Sequence, residues 1–289
     1  MTSIKQIQNE KGITKMKIRI LLTGMCAAAI LTASLAGCSV SVTTTETTKE
    51  SDQVSQTESS SKQNDDTAEK DEYFYLSQGE VDSPEWFTKL DAAKDCDQMI
   101  VVAGVGETTA YVTMHEKDEN GKWKMILSTP GYTGLEGMGK ADCNHAITPI
   151  GTFTIDKAFG LADDPGCQME YTKCDDSFYW SADAREGMQF NRLVKIEDYP
   201  DLDVNASEHI ADYVYEYQYC LNMGYNSEDI PENGCCFFFH CQGRVRPYTG
   251  GCVAINEPSM KYLMQRVKPG CKITIDKREN LGLDELPRV

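Results

Sequence analysis

The stretch Phe237-Phe-Phe-His-Cys-Gln-Gly-Arg-Val-Arg-Pro-Tyr-Thr-Gly-Gly-Cys-Val-Ala-Ile255 sets an apolar run against a histidine. Twelve residues after that histidine, a cysteine sits behind two glycines and leads into a second apolar run. Short apolar runs bounded by turn residues read as buried strands. Phe237 to Phe239 form one, ending at His240, and Val253-Ala-Ile255 form another, beginning just after Cys252. If the two pair as neighbours, the loop 241–251 lets His240 and Cys252 face each other across strand ends. An imidazole beside a thiol lowers the thiol's pKa and accepts its proton, which makes a nucleophile. Gly250-Gly251 has a separate use: a backbone without Cβ atoms can turn sharply and aim the amides of Gly251 and Cys252 at a developing oxyanion. The spacing alone leaves the plainer reading open, a small buried cysteine and a strand-end histidine.

Outward from this stretch the pattern stays mostly β. Downstream, Pro258 opens a helix behind Asn256 or Glu257, with Met260, Leu263, Met264 and Val267 at i, i+3, i+4 and i+7 on one apolar face. Pro269-Gly270 stops it, and Lys272-Ile-Thr-Ile-Asp276 alternates as a strand. Upstream, Met99-Ile-Val-Val-Ala-Gly-Val105 reads as a buried strand. Tyr111–Met114 and Trp123–Leu127 flank Asn120-Gly121, a dipeptide suited to a tight hairpin turn. Thr148-Pro-Ile-Gly-Thr-Phe-Thr-Ile155 alternates in its second half. Tyr213, Tyr215, Tyr217 and Tyr219 recur at period two, as on one face of a strand, either packing the core or lining a groove. His115 and His145 read as surface residues.

The first 37 residues have a different character. Lys5, Lys11, Lys15, Lys17 and Arg19 precede an apolar run from Ile20 to Leu35, which closes as Leu35-Ala-Gly-Cys38. A basic region, an apolar segment and small residues describe an export signal. The ending resembles a bacterial lipobox, in which Cys38 would carry a lipid anchor; a plain signal peptide or a membrane anchor are the alternatives. Residues 38–70 are Ser, Thr, Glu, Gln, Asp and Lys with almost no large apolar side chain, so they cannot bury enough surface to order themselves and are expected to tether a folded domain. That domain is expected to span 71–289, with its core at about 99–276. The expected location is outside the cytoplasm, held to a bacterial membrane by lipid.

A net charge of −17 argues against nucleic acid or anionic lipid headgroups as main partners. Of twelve cysteines, ten follow Cys38, and their disulfide connectivity cannot be read from spacing. The four histidines are scattered at 115, 145, 209 and 240 and no Cys-x-x-Cys occurs, so neither a metal site nor a cofactor is expected. The domain is expected to be a monomer.

Thr148-Pro-Ile-Gly-Thr-Phe, Ala158-Phe-Gly160, Phe239-His240 and Thr249-Gly-Gly-Cys-Val-Ala-Ile255, in this order, resemble the L,D-transpeptidase (YkuD-type) catalytic domain. Ser207-Glu-His209 and Gly224-Tyr-Asn226 resemble segments of a lipoprotein-like branch of that family. The resemblance implies a β-sandwich-like domain with a cysteine nucleophile in a groove, a helix after the nucleophile strand and a long insertion. It assigns Cys252 as nucleophile, His240 as general base and acid, the Cys241 carbonyl as the group orienting the imidazole, and the Gly251 amide as an oxyanion donor. Gly250 stands where the family typically has a second histidine, and Ala254 where it often has an arginine.

The implied chemistry is attack of Cys252 on the amide between a diamino acid and the terminal D-alanine of a peptidoglycan tetrapeptide stem. D-Alanine leaves, and an amine from a neighbouring stem resolves the thioester as a 3→3 cross-link. Water in place of the amine would make a carboxypeptidase, and a chain that kept the fold but lost turnover would be a wall-binding lipoprotein. Arg244 and Arg246, with Thr249, Gly250 and His209, are the candidate substrate-binding residues, an Arg fork being suited to a stem carboxylate. Trp180 and the acidic, aromatic stretch from Asp163 to Asp203 form an insertion of the kind that walls or covers a site.

Overall fold

The computed structural model describes residues 80–283. The expected export signal, Cys38 and the expected tether lie outside the described residues. The described residues belong to one compact unit. Its strands are β1 (Val81–Asp82), β2 (Gln98–Gly104), β3 (Thr109–Lys117), β4 (Trp123–Tyr132), β5 (Met138–Gly139), β6 (Thr148–Pro149), β7 (Gly151–Thr154), β8 (Lys157–Gly160), β9 (Tyr171–Lys173), β10 (Phe178–Ser181), β11 (Arg192–Lys195), β12 (Glu208–His209), β13 (Cys220–Asn222), β14 (Phe238–Cys241), β15 (Val253–Ile255) and β16 (Lys272–Lys277). Two helices join them, α1 (Glu85–Thr88) and α2 (Glu257–Met264).

The fold is mostly β. Ten strands run β7-β16-β2-β3-β4-β15-β14-β13-β8-β9 in one curled sheet, with β1 added beside β4. Its concave side encloses the principal core, where Ile100, Val102, Val112, Leu221, Phe239, Val253, Ile255 and Ile273 meet Met260, Leu263 and Met264 of α2. The Asn256 side chain accepts the Ser259 N–H and caps α2 with Pro258 in its first turn, where a missing N–H costs nothing. β2 is buried along its whole length because its other face, Met99, Val101 and Ala103, packs on Phe87, Leu281 and Leu283. That two-sided burial is why its sequence reads as a continuous apolar run.

A second, three-stranded sheet, β11-β10-β12, is built from the segment 178–209. It sends Trp180 onto Phe238 (ring centroids 4.7 Å) and Phe159 (5.5 Å), covering the outer face of β8, β13, β14 and β15. The insertion thus supplies a packed wall, and Trp180 is part of its core.

Several sequence expectations need correction. Asn120-Gly121 does not form a two-residue hairpin turn. The connection spans 118–122, and the Asp118 carboxylate accepts the N–H groups of Asn120 and Lys122 to hold a wider loop, with only Gly121 at positive φ. The tyrosine stripe is not a strand: Ile210–Asp212 and Glu216–Gln218 are 3-10 turns, and the Tyr217 N–H bonds back to the Tyr213 carbonyl. The turning backbone therefore separates the four rings, burying Tyr217 and Tyr219 and exposing Tyr213 and Tyr215. Thr148–Ile155 breaks into β6 and β7, which pair in different sheets.

His115 is buried rather than on the surface. Its ring stacks on Phe87 at 3.7 Å and lies 2.8 Å from both Ser83 Oγ and Thr113 Oγ1. Burial holds its pKa down at about 3. The unfolded chain would bind a proton below its ordinary value of 6.5, so stability due to the neutral ring is present above that pH and is lost as pH falls toward 3. Urea unfolding at pH 7, 5 and 4 should therefore show His115→Gln losing less stability with acidification than the wild type, by about 1.4 kcal/mol per pH unit. Parallel pH profiles would contradict this.

Candidate active site

β14 and β15 pair in parallel, with Phe239 opposite Val253 and His240 opposite Ala254. Because side chains alternate across a strand, Phe239, Val253 and Ile255 go to the principal core. Phe238, His240 and Cys252 go to the other face, under the second sheet. The pairing is parallel and not a hairpin, so residues 242–252 cross back over the strand ends. They are pinned by Thr249 N–H to the Thr133 carbonyl and Leu135 N–H to the Thr249 carbonyl. Cys252 therefore sits level with Phe238, and His240 lies two residues further, about 7 Å along the strand direction.

That offset sets the resting arrangement. Cys252 Sγ accepts the Phe238 N–H at 3.3 Å and donates to the Cys236 carbonyl, also at 3.3 Å. His240 Nδ1 donates to the Cys241 carbonyl at 2.7 Å. A carbonyl oxygen can only accept, so Nδ1 carries the proton and Nε2 keeps its lone pair. Among the described residues no hydrogen bond joins His240 to Cys252. Both are nearly enclosed, at 5% and 7% exposure. Burial pushes the Cys252 thiol well up, aided by the charge of Glu208 and opposed by the Phe238 N–H. Burial also pulls His240 down, against the pull of the Cys241 carbonyl. The expectation of a thiol acidified by its imidazole is thus corrected: burial holds both the thiol and the imidazole in their neutral forms in the resting site.

The glycines divide differently from expectation. Gly251 sits at φ 131°, and a Cβ there would meet the Phe237 ring at 2.9 Å and the Ile147 carbonyl at 3.0 Å. Its N–H is turned to Thr249 Oγ1 at 3.1 Å, so in this state it is not aimed at an oxyanion. Thr249 Oγ1 in turn donates to the Cys252 carbonyl at 2.6 Å, which Thr148 Oγ1 also reaches at 3.2 Å. Thr249 and Thr148 therefore both hold the Cys252 carbonyl. Gly250 is exposed, has no positive φ, and a Cβ there would meet nothing within 4 Å.

The remaining candidates separate as well. Arg244 lies over the Tyr215 ring at 4.0 Å, tying the crossing loop to the tyrosine turn; Arg246 is exposed on the same loop. His209 is not turned to the site. It stacks on Tyr179 at 4.5 Å, bonds Asp212 through Nδ1 at 2.9 Å and the Asp176 carbonyl through Nε2 at 2.9 Å. Its neighbour Glu208 pairs with Trp180 and takes the inward face instead. The Glu208 carboxyl accepts the Tyr217 hydroxyl and the Cys236 thiol, while the Tyr217 ring packs edge-on to His240 at 5.3 Å.

Cys236 is a residue at the site that sequence reasoning does not single out; it reads Tyr217 only as one ring of a stripe, and in the Ser207-Glu-His209 segment it gives the role to His209 and not to Glu208. Only the register of β10 with β12 selects Glu208. Cys236 has φ 64°, and its Sγ lies 3.4 Å from that of Cys235. All ten cysteines of the described residues are free thiols. No group of three His, Cys, Asp or Glu side chains among those residues is placed to hold a metal ion. A depression of about 390 Å³ is lined by Lys140, Pro149, Ile150 and Tyr225, and neither Cys252 nor His240 is part of its lining.

Neither the protein-family models nor the curated proteins compared with this chain match it.

The glycine geometry yields a paired prediction. Gly251→Ala should lower stability by roughly 2 kcal/mol or more, because an alanine there meets both an unfavourable φ and a backbone clash. Gly250→His should stay within about 0.5 kcal/mol of the wild type, as an open surface position allows. Denaturant midpoints of the two variants decide this, and equal losses would contradict the assignment.

Proposed function

We propose that this chain is a peptidoglycan L,D-transpeptidase, a cysteine acyltransferase that forms 3→3 cross-links between stem peptides with release of D-alanine. The observation that carries the reading is the shared face of two adjacent parallel strands on which Cys252 and His240 lie, with Nδ1 of the imidazole committed to the Cys241 carbonyl and Nε2 left as a base. The order of motifs that resembles the YkuD-type family supports it, and the curled, mostly β fold is compatible with that family's sandwich. On the same reading the chain is a monomeric lipoprotein, anchored through Cys38 outside the cytoplasm.

The donor stem's amide enters beside Cys252. Since thiol and imidazole rest neutral, proton transfer to Nε2 accompanies attack of the sulfur on the carbonyl and does not precede it. The imidazolium then protonates the departing D-alanine nitrogen, and a thioester remains on Cys252. The Cys252 amide and its loop neighbours supply the oxyanion contact once the Gly251 N–H is released from Thr249. An amine from a second stem resolves the thioester.

Incubation of the protein with tetrapeptide muropeptides, followed by mass spectrometry, tests the proposal. Cross-linked dimers with free D-alanine are expected. Tripeptide and D-alanine without dimers would reassign the chain as a carboxypeptidase, and unchanged substrate with retained binding would make it a wall-binding protein. Cys252→Ala should abolish turnover. His240→Ala should slow acylation of Cys252, by stem peptide or by a β-lactam of the carbapenem class, about 100-fold or more. Equal acylation rates with and without His240 would remove the imidazole from the chemistry.

A further inference from the structure

Glu208 is an ionisable group at the site that the acylation half of this mechanism leaves unused. Two short chains of contacts connect it to the nucleophile. Its carboxyl holds the Cys236 thiol, and the Cys236 carbonyl accepts the Cys252 thiol. On the other side its carboxyl holds the Tyr217 hydroxyl, and the Tyr217 ring touches both His240 and Phe238, at 5.3 and 5.6 Å. Among the described residues no ion pair reaches Glu208, although the surrounding wall places Arg185, Arg192 and Lys173 in pairs with Asp183, Asp229 and Asp163. The carboxyl is thus set in a dense, apolar surround without a cation, and desolvation raises it to about 7. The residue still keeps partial solvent access. Outside it, Tyr213 stacks on Tyr217 at 4.6 Å with 38% of its surface exposed, and the Glu208 charge is the largest influence raising its phenol.

A carboxyl hydrogen-bonded to the inner of two stacked aromatic rings, the outer of which faces solvent, has the composition of a seat for a primary ammonium. We infer that Glu208, with Tyr213 and Tyr217, forms the acceptor subsite: it binds the cationic amine that resolves the Cys252 thioester and takes that amine's first proton. This rests on the acyl-transfer reading above. The protons balance as follows. The incoming R–NH3+ gives one proton to the Glu208 carboxylate. The amine nitrogen then attacks the thioester carbonyl, forming the C–N bond as the C–S bond breaks. The second proton leaves nitrogen for His240 Nε2 and passes to the departing Cys252 sulfur. Glu208 gives up its proton to solvent as the product leaves. The same subsite favours an amine over water, because an ammonium gains an ion pair and a cation–π contact there that neutral water lacks.

The test uses the full-length protein acylated on Cys252, offered two probe nucleophiles together at neutral pH. One is N-acetyl-lysine amide, whose side-chain amine is a cation; the other is hydroxylamine, which is uncharged there. The ratio of amide to hydroxamate product, read by mass spectrometry, is internal to the acylated and hence folded molecules. Glu208→Gln should lower that ratio about tenfold, the scale of one charge-assisted hydrogen bond. Glu208→Asp, which keeps the charge, should stay within about threefold of the wild type, and Tyr213→Leu should lower the ratio about threefold. A Glu208→Gln enzyme that acylates with an unchanged ratio, or a Glu208→Asp enzyme whose ratio falls as far as that of Glu208→Gln, overturns the inference while leaving the nucleophile in place. A wild-type protein that never acylates at Cys252 overturns the underlying reading instead, and the acceptor subsite with it.

Discussion

The parallel pairing of β14 with β15 is the constraint on which everything at the site depends. Burying both faces of these strands sends Phe239 and Val253 into the principal core and leaves Phe238, His240 and Cys252 to the second sheet. A slip of one residue would exchange the faces, placing an imidazole and a thiol among Leu221, Ile255 and Met260 and two phenylalanines at the site's edge. Each large side chain committed to one side contributes roughly 2 to 3 kcal/mol of burial, so the register is held strongly by residues that take no part in chemistry.

The same burial decides the charge state of the site. Cys252 and His240 are both enclosed, and burial raises the thiol and lowers the imidazole, so both rest neutral. The thiol instead finds neutral partners in the Phe238 N–H and the Cys236 carbonyl. A thiol held in this form is shielded from oxidation, which selects thiolates and exposed sulfurs. On the proposed reading, its reactivity depends on what a bound substrate does to the pocket.

The insertion is more than a cover. By pairing β12 against β10 it turns Glu208 inward and His209 outward, and by packing Trp180 on Phe238 it fixes that wall to the strand that carries His240. The tyrosine turn completes the enclosure: Tyr217 joins Glu208 to His240, and Tyr215 meets Arg244 of the crossing loop. The wall with its adjoining tyrosine turn and the crossing loop, which are separate in sequence, thereby share one boundary around the sulfur.

Much of this was legible in the chain itself. The apolar runs at Phe237–Phe239 and Val253–Ile255 and the Asn256-capped helix with its Met260/Leu263/Met264 face follow from alternation and helical periodicity, which are local properties. Tertiary structure alone decided the rest. The tyrosines at period two became a pair of 3-10 turns because two of the rings had buried places to fill and two did not. His115 was drawn inside by an aromatic cage contributed from α1 and β4. Glu208 was chosen over His209 by a strand register across the insertion, and Gly251 over Gly250 by the position of the Phe237 ring and the Ile147 carbonyl. Periodicity states which residues share a face; which face meets which neighbour, and hence which group is charged, depends on contacts between segments that no local pattern encodes.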